Sequence, residues 1–136
     1  MTNLFRVNLI VVLNKSQTQV LMCHRQKDPY YLKYNFVGGK LEAQELPLDG
    51  AYRELYEETG ISSSHIELIP LFTTTYFPDQ LALEVFVGTL NQDVELIEEA
   101  NPLEWIGLDE DFLNLKFAGD GNVSHIISCV KDLYNL

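Results

Sequence analysis

Three glutamates at helical spacing constrain this sequence more than any other feature. Glu54, Glu57 and Glu58 lie at positions i, i+3 and i+4 within residues 39–61, and this spacing predicts one face of an α-helix. Like charges so placed destabilise a helix by about 0.2–0.5 kcal/mol per pair. Carboxylate oxygens are the ligands that Mg²⁺, Mn²⁺ and Ca²⁺ prefer. The segment therefore predicts a helix whose charged face binds a divalent cation.

Glycines flank the predicted helix on both sides. Gly38 and Gly39 precede it and permit a tight turn and a close backbone approach, and Gly60 is placed to end the helix. Pro47 is tolerated in a first helical turn. The segment is therefore predicted to be a loop, a helix and a second loop. The alternative, a solvated acidic helix, would need neither the paired glycines nor Arg53 within the cluster.

The same segment resembles the signature of the Nudix hydrolases, the MutT family, whose pattern is G-x5-E-x7-R-E-U-x-E-E-x-G-U with U an aliphatic residue. Every fixed position is matched, by Gly39, Glu45, Arg53, Glu54, Leu55, Glu57, Glu58, Gly60 and Ile61. The resemblance implies an α/β fold, namely an α/β/α sandwich with a mixed β-sheet and the signature as a loop–helix–loop. It also implies hydrolysis of a nucleoside diphosphate linked to another group.

The resemblance assigns roles to the residues of the signature. Glu57 and Glu58 are expected metal ligands, with the Gly38 carbonyl as a further ligand, and Glu54 is expected to bind metal or to act as the base. Mg²⁺ is the expected cofactor, with Mn²⁺ as an alternative, because a divalent ion clamps phosphate oxygens and lowers the pKa of bound water. Arg53 is expected to orient a catalytic glutamate through charge-assisted hydrogen bonds.

Two further acidic positions extend this set. Glu45 is expected to be an outer-shell or additional ligand, although an ion pair with Arg53 that merely stabilises the helix is compatible with the same residues. Family members often bring one more glutamate from a loop after the sheet strands, and Glu98 and Glu99 precede a proline and a tryptophan in a similar order. Glu99 is favoured as the catalytic and metal-binding member. A solvated acidic loop is the alternative.

The basic residues are candidates for phosphate binding. After Arg53 the next basic residue is Lys116, and those before Arg53 all lie in the first 40 positions. Arg25, at the end of a predicted strand, either binds a phosphate or pairs with a surface carboxylate. Lys40 and the close backbone approach at Gly39 complete the expected phosphate contacts.

Residues 117–122 are a candidate base pocket, since this part of the chain can line the pocket in nucleotide-cleaving relatives. Asp120 can accept hydrogen bonds, and the amide of Asn122 can donate and accept. Together they can read a purine edge, with Tyr31 or Tyr34 stacking on the ring. The alternative is an ordinary turn at residues 120–121, with Asn122 as the N-cap of the following helix.

Composition narrows the function classes. A net charge of −11 argues against binding of polymeric nucleic acid, which needs clustered lysine and arginine. No apolar run reaches the roughly 18 residues of a membrane span, and the first six residues lack a signal-peptide pattern. Cys23 and Cys129 are expected to be buried free thiols, with a disulfide as the alternative. These features predict a cytoplasmic protein with a single domain over residues 1–136, as a monomer or homodimer.

Hydrophobic patterning predicts the elements around the signature. Strands are predicted at residues 5–13, 19–25, 35–37, 66–76, 81–90 and 103–106, the first two joined as a hairpin. A C-terminal helix is predicted at residues 123–136, capped by Asn122 or Ser124. One or two helical turns are predicted at residues 109–113.

The resemblance favours a small-molecule nucleotide as substrate, a (deoxy)nucleoside triphosphate cleaved to the monophosphate and pyrophosphate, with oxidised purine nucleotides included. Residues 36–42 resemble the entry to the signature in such relatives, although Val37 stands where many have proline. ADP-ribose, nucleotide sugars and dinucleoside polyphosphates are alternative substrates. ADP-ribose is included because members of the family that cleave it often carry a proline at a similar distance after the signature, and Pro78 matches that distance.

Two alternatives belong to other classes of protein. Non-catalytic, regulatory nucleotide-binding domains of the family often lose the signature glutamates, all of which this chain keeps. A calcium-binding module is less consistent with the sequence, because the alternating ligands and central glycine of an EF-hand loop are missing.

Overall fold

The structure, a computed structural model, describes residues 5–136. Its strands are β1 (Phe5–Leu13), β2 (Gln19–His24), β3 (Tyr34–Asn35), β4 (Ile69–Tyr76), β5 (Leu81–Thr89) and β6 (Leu103–Gly107), and its helices are α1 (Pro47–Thr59) and α2 (Asn122–Tyr134). A short 3-10 turn, Phe77–Asp79, joins β4 to β5. The prediction about a signal peptide rests in part on residues 1–4, which lie outside the described part of the chain.

Within residues 5–136 the strands form a six-stranded mixed sheet in the order β3-β2-β1-β5-β4, with β6 pairing with β2. The central pair, β1 and β5, is parallel, and the other pairs are antiparallel. The antiparallel pairing of β1 with β2 confirms the predicted hairpin. A parallel pair needs a crossover connection, and the chain between β1 and β5 includes α1.

The central strands bury both of their faces, so the sheet separates two hydrophobic cores. One core packs against the inner face of α2, formed by Val123, Ile126, Ile127 and Val130. In the other, Ile10 and Val12 of β1 pack with Ala51 and Leu55 of α1. Because side chains alternate along a strand, one strand can supply both cores. The predicted α/β/α sandwich is therefore confirmed.

Local chemistry determines where α1 begins and ends. Pro47 lies in the first turn of α1. The N–H groups of a first turn have no acceptor within the helix, so the missing N–H of proline costs no hydrogen bond there. Gly60 follows the last turn with φ of 79°, and its N–H donates to the Tyr56 carbonyl. This left-handed C-terminal geometry is the one that glycine favours. The helix of the signature therefore has the predicted ends.

Two predicted details are wrong. Residues 109–113 form separate turns, because the Asp111 carboxylate accepts the Leu113 N–H at 3.0 Å and such local bonds compete with helix formation. Neither Asn122 nor Ser124 caps α2. The N-cap residue is Gly121, with φ of 99°, and no side chain makes a cap hydrogen bond.

The element bounds differ only slightly from the predicted ones. The strand predicted from residue 66 begins at Ile69, since Ile66 makes only an isolated bridge to Leu90. Both cysteines are free thiols, Cys23 buried and Cys129 half-buried. No helix in residues 5–136 is long and apolar enough to cross a membrane.

Candidate metal and nucleotide site

Gly38 and Gly39 bring the backbone against the carboxylates of α1. The Gly38 N–H donates to Oε2 of Glu58 at 3.4 Å. A Cβ atom on Gly39 would lie 2.5 Å from the carboxylate of Glu54, and one on Gly38 would clash with the Asn8 carbonyl oxygen. Gly38 also has φ of 152°, which residues with a side chain rarely adopt. The backbone at Gly38 therefore requires glycine, a side chain at Gly39 would displace the Glu54 carboxylate, and this glycine loop touches two of the three glutamates of the helix face.

The three glutamates of the helix face have different environments. Glu57 is exposed, with 52% of its side-chain surface accessible, whereas the Glu54 side chain is only 14% accessible and Glu58 is half-buried. Burial raises the pKa of the Glu58 carboxyl to about 7, against the Gly38 N–H, which lowers it. Burial also raises the pKa of Glu54, although Arg53 opposes the shift. A nearby cation would favour the charged forms of both.

Arg53 joins three glutamates to the glycine loop. Its Nε and Nη2 donate to the two oxygens of Glu45 at 2.7 and 2.9 Å, and its Nη1 donates to Glu54 and Glu57, each at 3.1 Å. Nη2 also donates to the Lys40 carbonyl at 3.1 Å. The hydrogen bonds from Arg53 hold the pKa of Glu45 at about 2, and the same pair raises the pKa of Arg53. Glu45 therefore stays ionised and fixes the guanidinium from the side opposite to Glu57.

The donor atoms suit Mg²⁺ or Mn²⁺, because these ions prefer carboxylate and carbonyl oxygens. Within residues 5–136, no group of three or more aspartate, glutamate, histidine or cysteine side chains is arranged so that it could hold a metal ion. Arg53 holds Glu54 and Glu57, while Glu58 faces the Gly38 N–H. The half-buried Glu58 carboxylate, with its raised pKa, and the space that only glycine leaves beside Glu54 fit a divalent ion. Glu54, Glu57, Glu58 and the Gly38 carbonyl are the groups that would hold it.

Glu98 and Glu99, in the acidic loop before β6, have different environments. Oε2 of Glu98 accepts the Leu103 N–H at 2.6 Å, so this carboxylate stabilises the entry into β6. Glu99 is exposed, and its charge adds to the effect of burial on the pKa of Glu58. Glu99 is therefore the member of the pair whose charge acts on Glu58.

A cavity of about 160 Å³ lies beside the start of α2, on the face of the sheet that this helix covers. Asn122, Asn35 and Tyr30 line it together with apolar residues of β1 and β5. The chain thus brings the predicted amide of Asn122 to a cavity wall. Asp120 is exposed and is not part of the lining. Of the two residues predicted to contact the base, only Asn122 therefore lines this cavity.

The aromatic side chains that line the cavity, Tyr30 and Tyr76, are not those predicted to stack on a base. Tyr34 stacks on His24 with ring centroids 4.6 Å apart, and Tyr31 is exposed. Tyr30 lines the cavity in their place. Sequence reasoning missed both Tyr30 and Asn35, and the only available signal was the position of Asn35 shortly before the glycine loop.

The predicted phosphate-binding cations lie near the carboxylates. The charge of Arg25 partly offsets the effect of burial on the pKa of Glu58, and its Nε donates to the Pro29 carbonyl at 3.1 Å. Lys40 follows the glycine loop and is exposed, with Nζ 5.3 Å from the centre of the Phe5 ring. The charge of Arg25 therefore acts on Glu58, whereas the Lys40 ammonium lies over the Phe5 ring.

A mixed sheet between two helices, with carboxylates of one helix against a glycine loop, defines the class as an α/β protein with an oxygen-rich candidate site. The profile of the NUDIX domain family matches residues 4–123, and the chain belongs to this family. The assignment confirms the family that the signature residues resemble. Nudix hydrolases generally need divalent metal ions.

Curated relatives match only part of the chain. An RNA pyrophosphohydrolase of Psychrobacter sp. (strain PRwf-1) is 37% identical over 65 residues, which cover 48% of this chain and 36% of the relative. A protein of the same name from Xanthomonas campestris pv. campestris (strain B100) is 35% identical over 65 residues, 48% of this chain and 30% of the relative. The match therefore spans about a third of these proteins.

Solved structures match nearly the whole chain. A MutT structure described for Aliivibrio salmonicida and Vibrio cholerae has a TM-score of 0.69 at 23% identity and covers 91% of this chain and 97% of its own. A C. elegans Ap4A hydrolase has a TM-score of 0.73 at 16% identity, with 96% and 99% covered. At these identities the likeness shows the fold alone.

Proposed function

We propose that the chain is a divalent-metal-dependent pyrophosphohydrolase that cleaves a (deoxy)nucleoside triphosphate, with oxidised purine nucleotides included, to the monophosphate and pyrophosphate. The observation that carries the proposal is the continuity of residues 35–39, which run from the cavity wall at Asn35 to Gly39 beside Glu54. In this proposal one molecule places its base in the cavity and its phosphates at the carboxylates.

The metal-binding groups in this proposal are Glu54, Glu57, Glu58, Glu99 and the Gly38 carbonyl. A bound Mg²⁺ or Mn²⁺ would neutralise phosphate charge and lower the pKa of a bound water. The water oxygen forms a bond to phosphorus, and the bond from phosphorus to the bridging oxygen breaks, so that pyrophosphate leaves. The proton of the water passes to a carboxylate, for which Glu54 and Glu99 are the candidates.

The remaining residues bind or orient. Arg53 keeps Glu54 and Glu57 in place, and Glu45 fixes Arg53 from outside the ligand set. Such partners typically change metal affinity or activity by about 10- to 100-fold when they are removed. Arg25, Lys40 and the backbone at Gly39 would contact phosphate oxygens, while Asn122 and the exposed Asp120 would contact the base.

Other substrates receive less support. The curated relatives are named for RNA, but a net charge of −11 opposes the binding of a long polyanion. Pro78 lies in the 3-10 turn between β4 and β5. Its role in this turn explains the proline, so its presence does not specifically support ADP-ribose as the substrate. Retention of all signature glutamates favours catalysis over a regulatory nucleotide-binding role.

The test is a substrate panel assayed with Mg²⁺, with Mn²⁺ and with chelator, with the products identified by chromatography. The panel contains standard and oxidised nucleoside triphosphates, ADP-ribose, nucleotide sugars and dinucleoside polyphosphates. We expect monophosphate and pyrophosphate from a triphosphate, only when metal is present. Nucleotide binding without any product would support the regulatory alternative, and Ca²⁺ binding without turnover would support a calcium module. The single domain over residues 1–136, the cytoplasmic location and the monomeric or homodimeric state stay predictions.

A further inference from the structure

Two polar side chains are buried in the sheet directly behind the glycine loop. Asn8 of β1 is 1% exposed and Glu84 of β5 is 8% exposed. They are paired in the parallel register of these strands. Their nearest neighbours on the same strand faces include Ile10 and Phe86, which belong to the apolar core under α1. Polar side chains are costly to bury beside apolar residues, so the presence of this pair needs a physical explanation.

The pair has unsatisfied hydrogen-bonding groups among the protein atoms of residues 5–136. Asn8 Nδ2 and Glu84 Oε2 are both buried without a protein partner. A buried polar group left unpaired costs about 1–3 kcal/mol, so an apolar residue of similar size would suit the core better than Asn8. Glu84 is held on its other oxygen by Arg6, at 3.2 Å. Stability alone therefore does not account for Asn8.

The other end of the Asn8 side chain contacts the glycine loop. Its Oδ1 accepts the Gly39 N–H at 2.9 Å, and the Asn8 N–H donates to the Gly39 carbonyl at 2.8 Å. The Leu41 N–H donates to the Arg6 carbonyl in the same short ladder. Backbone pairing thus positions the Gly39 carbonyl, but only the side chain of Asn8 accepts the Gly39 N–H.

This side-chain bond determines the orientation of one peptide plane. The Gly39 N–H and the Gly38 carbonyl belong to the same trans peptide, in which the two groups point in opposite directions. When Asn8 holds the Gly39 N–H toward β1, the Gly38 carbonyl must point away from β1. Two glycines in succession would otherwise permit this peptide to rotate.

We propose that Asn8 is a positioning residue for the metal site, which fixes the Gly38–Gly39 peptide so that the Gly38 carbonyl is presented as a metal ligand. The inference rests on the proposed function, since the carbonyl is one of its predicted ligands. The same bond keeps Gly38 beside Glu58 and Gly39 beside Glu54. Asn8 itself touches neither ion nor substrate.

The test compares Mn²⁺ binding by the metal-free wild-type protein, Asn8→Leu, Asn8→Asp and Val12→Ala, measured by isothermal titration calorimetry. Asn8→Leu keeps the number and branching of the side-chain heavy atoms but removes the acceptor, and we expect its Mn²⁺ dissociation constant to rise by about 10- to 100-fold. Asn8→Asp retains an oxygen for the Gly39 N–H and should recover most of the affinity. Val12→Ala is the matched control, because it perturbs the same face of the same strand without touching the loop.

Two further measurements separate positioning from loss of fold. Chemical unfolding should show that Asn8→Leu is folded, and the exchange rate of the Gly39 amide hydrogen should rise in Asn8→Leu but not in Val12→Ala. Wild-type Mn²⁺ affinity in Asn8→Leu would overturn the proposal, as would an equal loss of affinity in Val12→Ala.

The same experiment distinguishes this inference from the proposed function. A wild-type protein that binds Mn²⁺ but hydrolyses no nucleotide would refute the proposed function, while the affinities would still decide the role of Asn8. A wild-type protein that binds no Mn²⁺ would overturn both.

Discussion

Glu58 is the residue at which burial, the glycine loop and the other carboxylates act together. It is half-buried, accepts the Gly38 N–H and lies near Glu54 and Glu99. We predict that Glu58→Gln, which keeps the shape but removes the charge, lowers kcat by more than the roughly 10- to 100-fold typical of outer-shell partners. Metal-free stability should not fall, because repulsion between like charges is relieved. Steady-state kinetics and thermal unfolding of the same preparation measure both.

The control for this change is Glu67→Gln, which removes the same charge at an exposed position outside the signature. It should leave kcat unaltered. A Glu58→Gln enzyme with wild-type kcat would remove Glu58 from the ligand set, whereas an unfolded variant would show that its carboxylate is needed for the fold.

The raised pKa of Glu58 also predicts a pH dependence of stability. Burial raises this pKa from 4.5 to about 7, so between these values the folded protein binds more protons at Glu58 than the unfolded chain does. The stabilisation from this group is therefore complete below pH 4.5 and is lost as the pH rises through about 7. In chelator, urea unfolding should show wild type losing stability relative to Glu58→Gln over this interval. A stability difference that is independent of pH would contradict the prediction.

Glu98 and Glu99 offer a matched pair of adjacent residues. Glu99→Gln should reduce kcat more than it changes KM if Glu99 supplies a ligand or the base, a role consistent with the effect of its charge on the pKa of Glu58. Glu98→Gln should change little, because the amide oxygen can still accept the Leu103 N–H that Glu98 now binds. Kinetics of both variants under identical metal concentrations provide the comparison. Small and equal effects would assign both residues to a solvated loop.

Among the elements, the start of α2 changes the interpretation of Asn122. A helix N-cap at this residue would make its substitution a matter of stability, but Gly121 is the N-cap residue and Asn122 makes no cap bond. Asn122 instead lines the cavity. We predict that Asn122→Ala alters the ranking of kcat/KM among guanine, adenine and pyrimidine nucleotides while the melting temperature stays close to wild type.

Ser124→Ala is the control for Asn122→Ala, because Ser124 lies in the same first turn and is not part of the cavity lining. It should change neither the ranking nor the melting temperature. If Asn122→Ala leaves the ranking of kcat/KM among the nucleotides unchanged, Asn122 does not take part in base recognition. The base would then bind elsewhere on the protein.

The elements that sequence predicts well are those whose signals are local. The ends of α1 follow from Pro47 and Gly60, and the alternation of β1 gives its two buried faces. The cavity could not be predicted in the same way, because Tyr30, Asn35 and Asn122 meet only after the sheet and α2 have packed. The role of Asn8 was equally hidden, since an asparagine within an apolar strand carries no sign of the glycine that it will contact.

For the whole molecule, the distribution of charge matters more than its sum. The net charge is −11, and no lysine or arginine occurs between Arg53 and Lys116. The cations near the carboxylates of α1, Arg25 and Lys40, come from the first part of the chain. A short polyphosphate can therefore be held locally, whereas a longer polyanion must also approach the acidic remainder of the surface.

This charge distribution predicts how the chain will discriminate against RNA. For 5′-triphosphorylated oligonucleotides of increasing length, kcat/KM should fall below the value for the mononucleotide, because each added phosphate is repelled by the surface. The penalty should shrink as salt is raised, since the screening length falls from about 10 Å at 0.1 M to about 3 Å at 1 M ionic strength. Initial rates at low substrate concentration, with free Mg²⁺ held constant, measure the effect. If kcat/KM instead rises with length, the chain has an RNA-binding surface, and the triphosphorylated end of RNA becomes the favoured substrate.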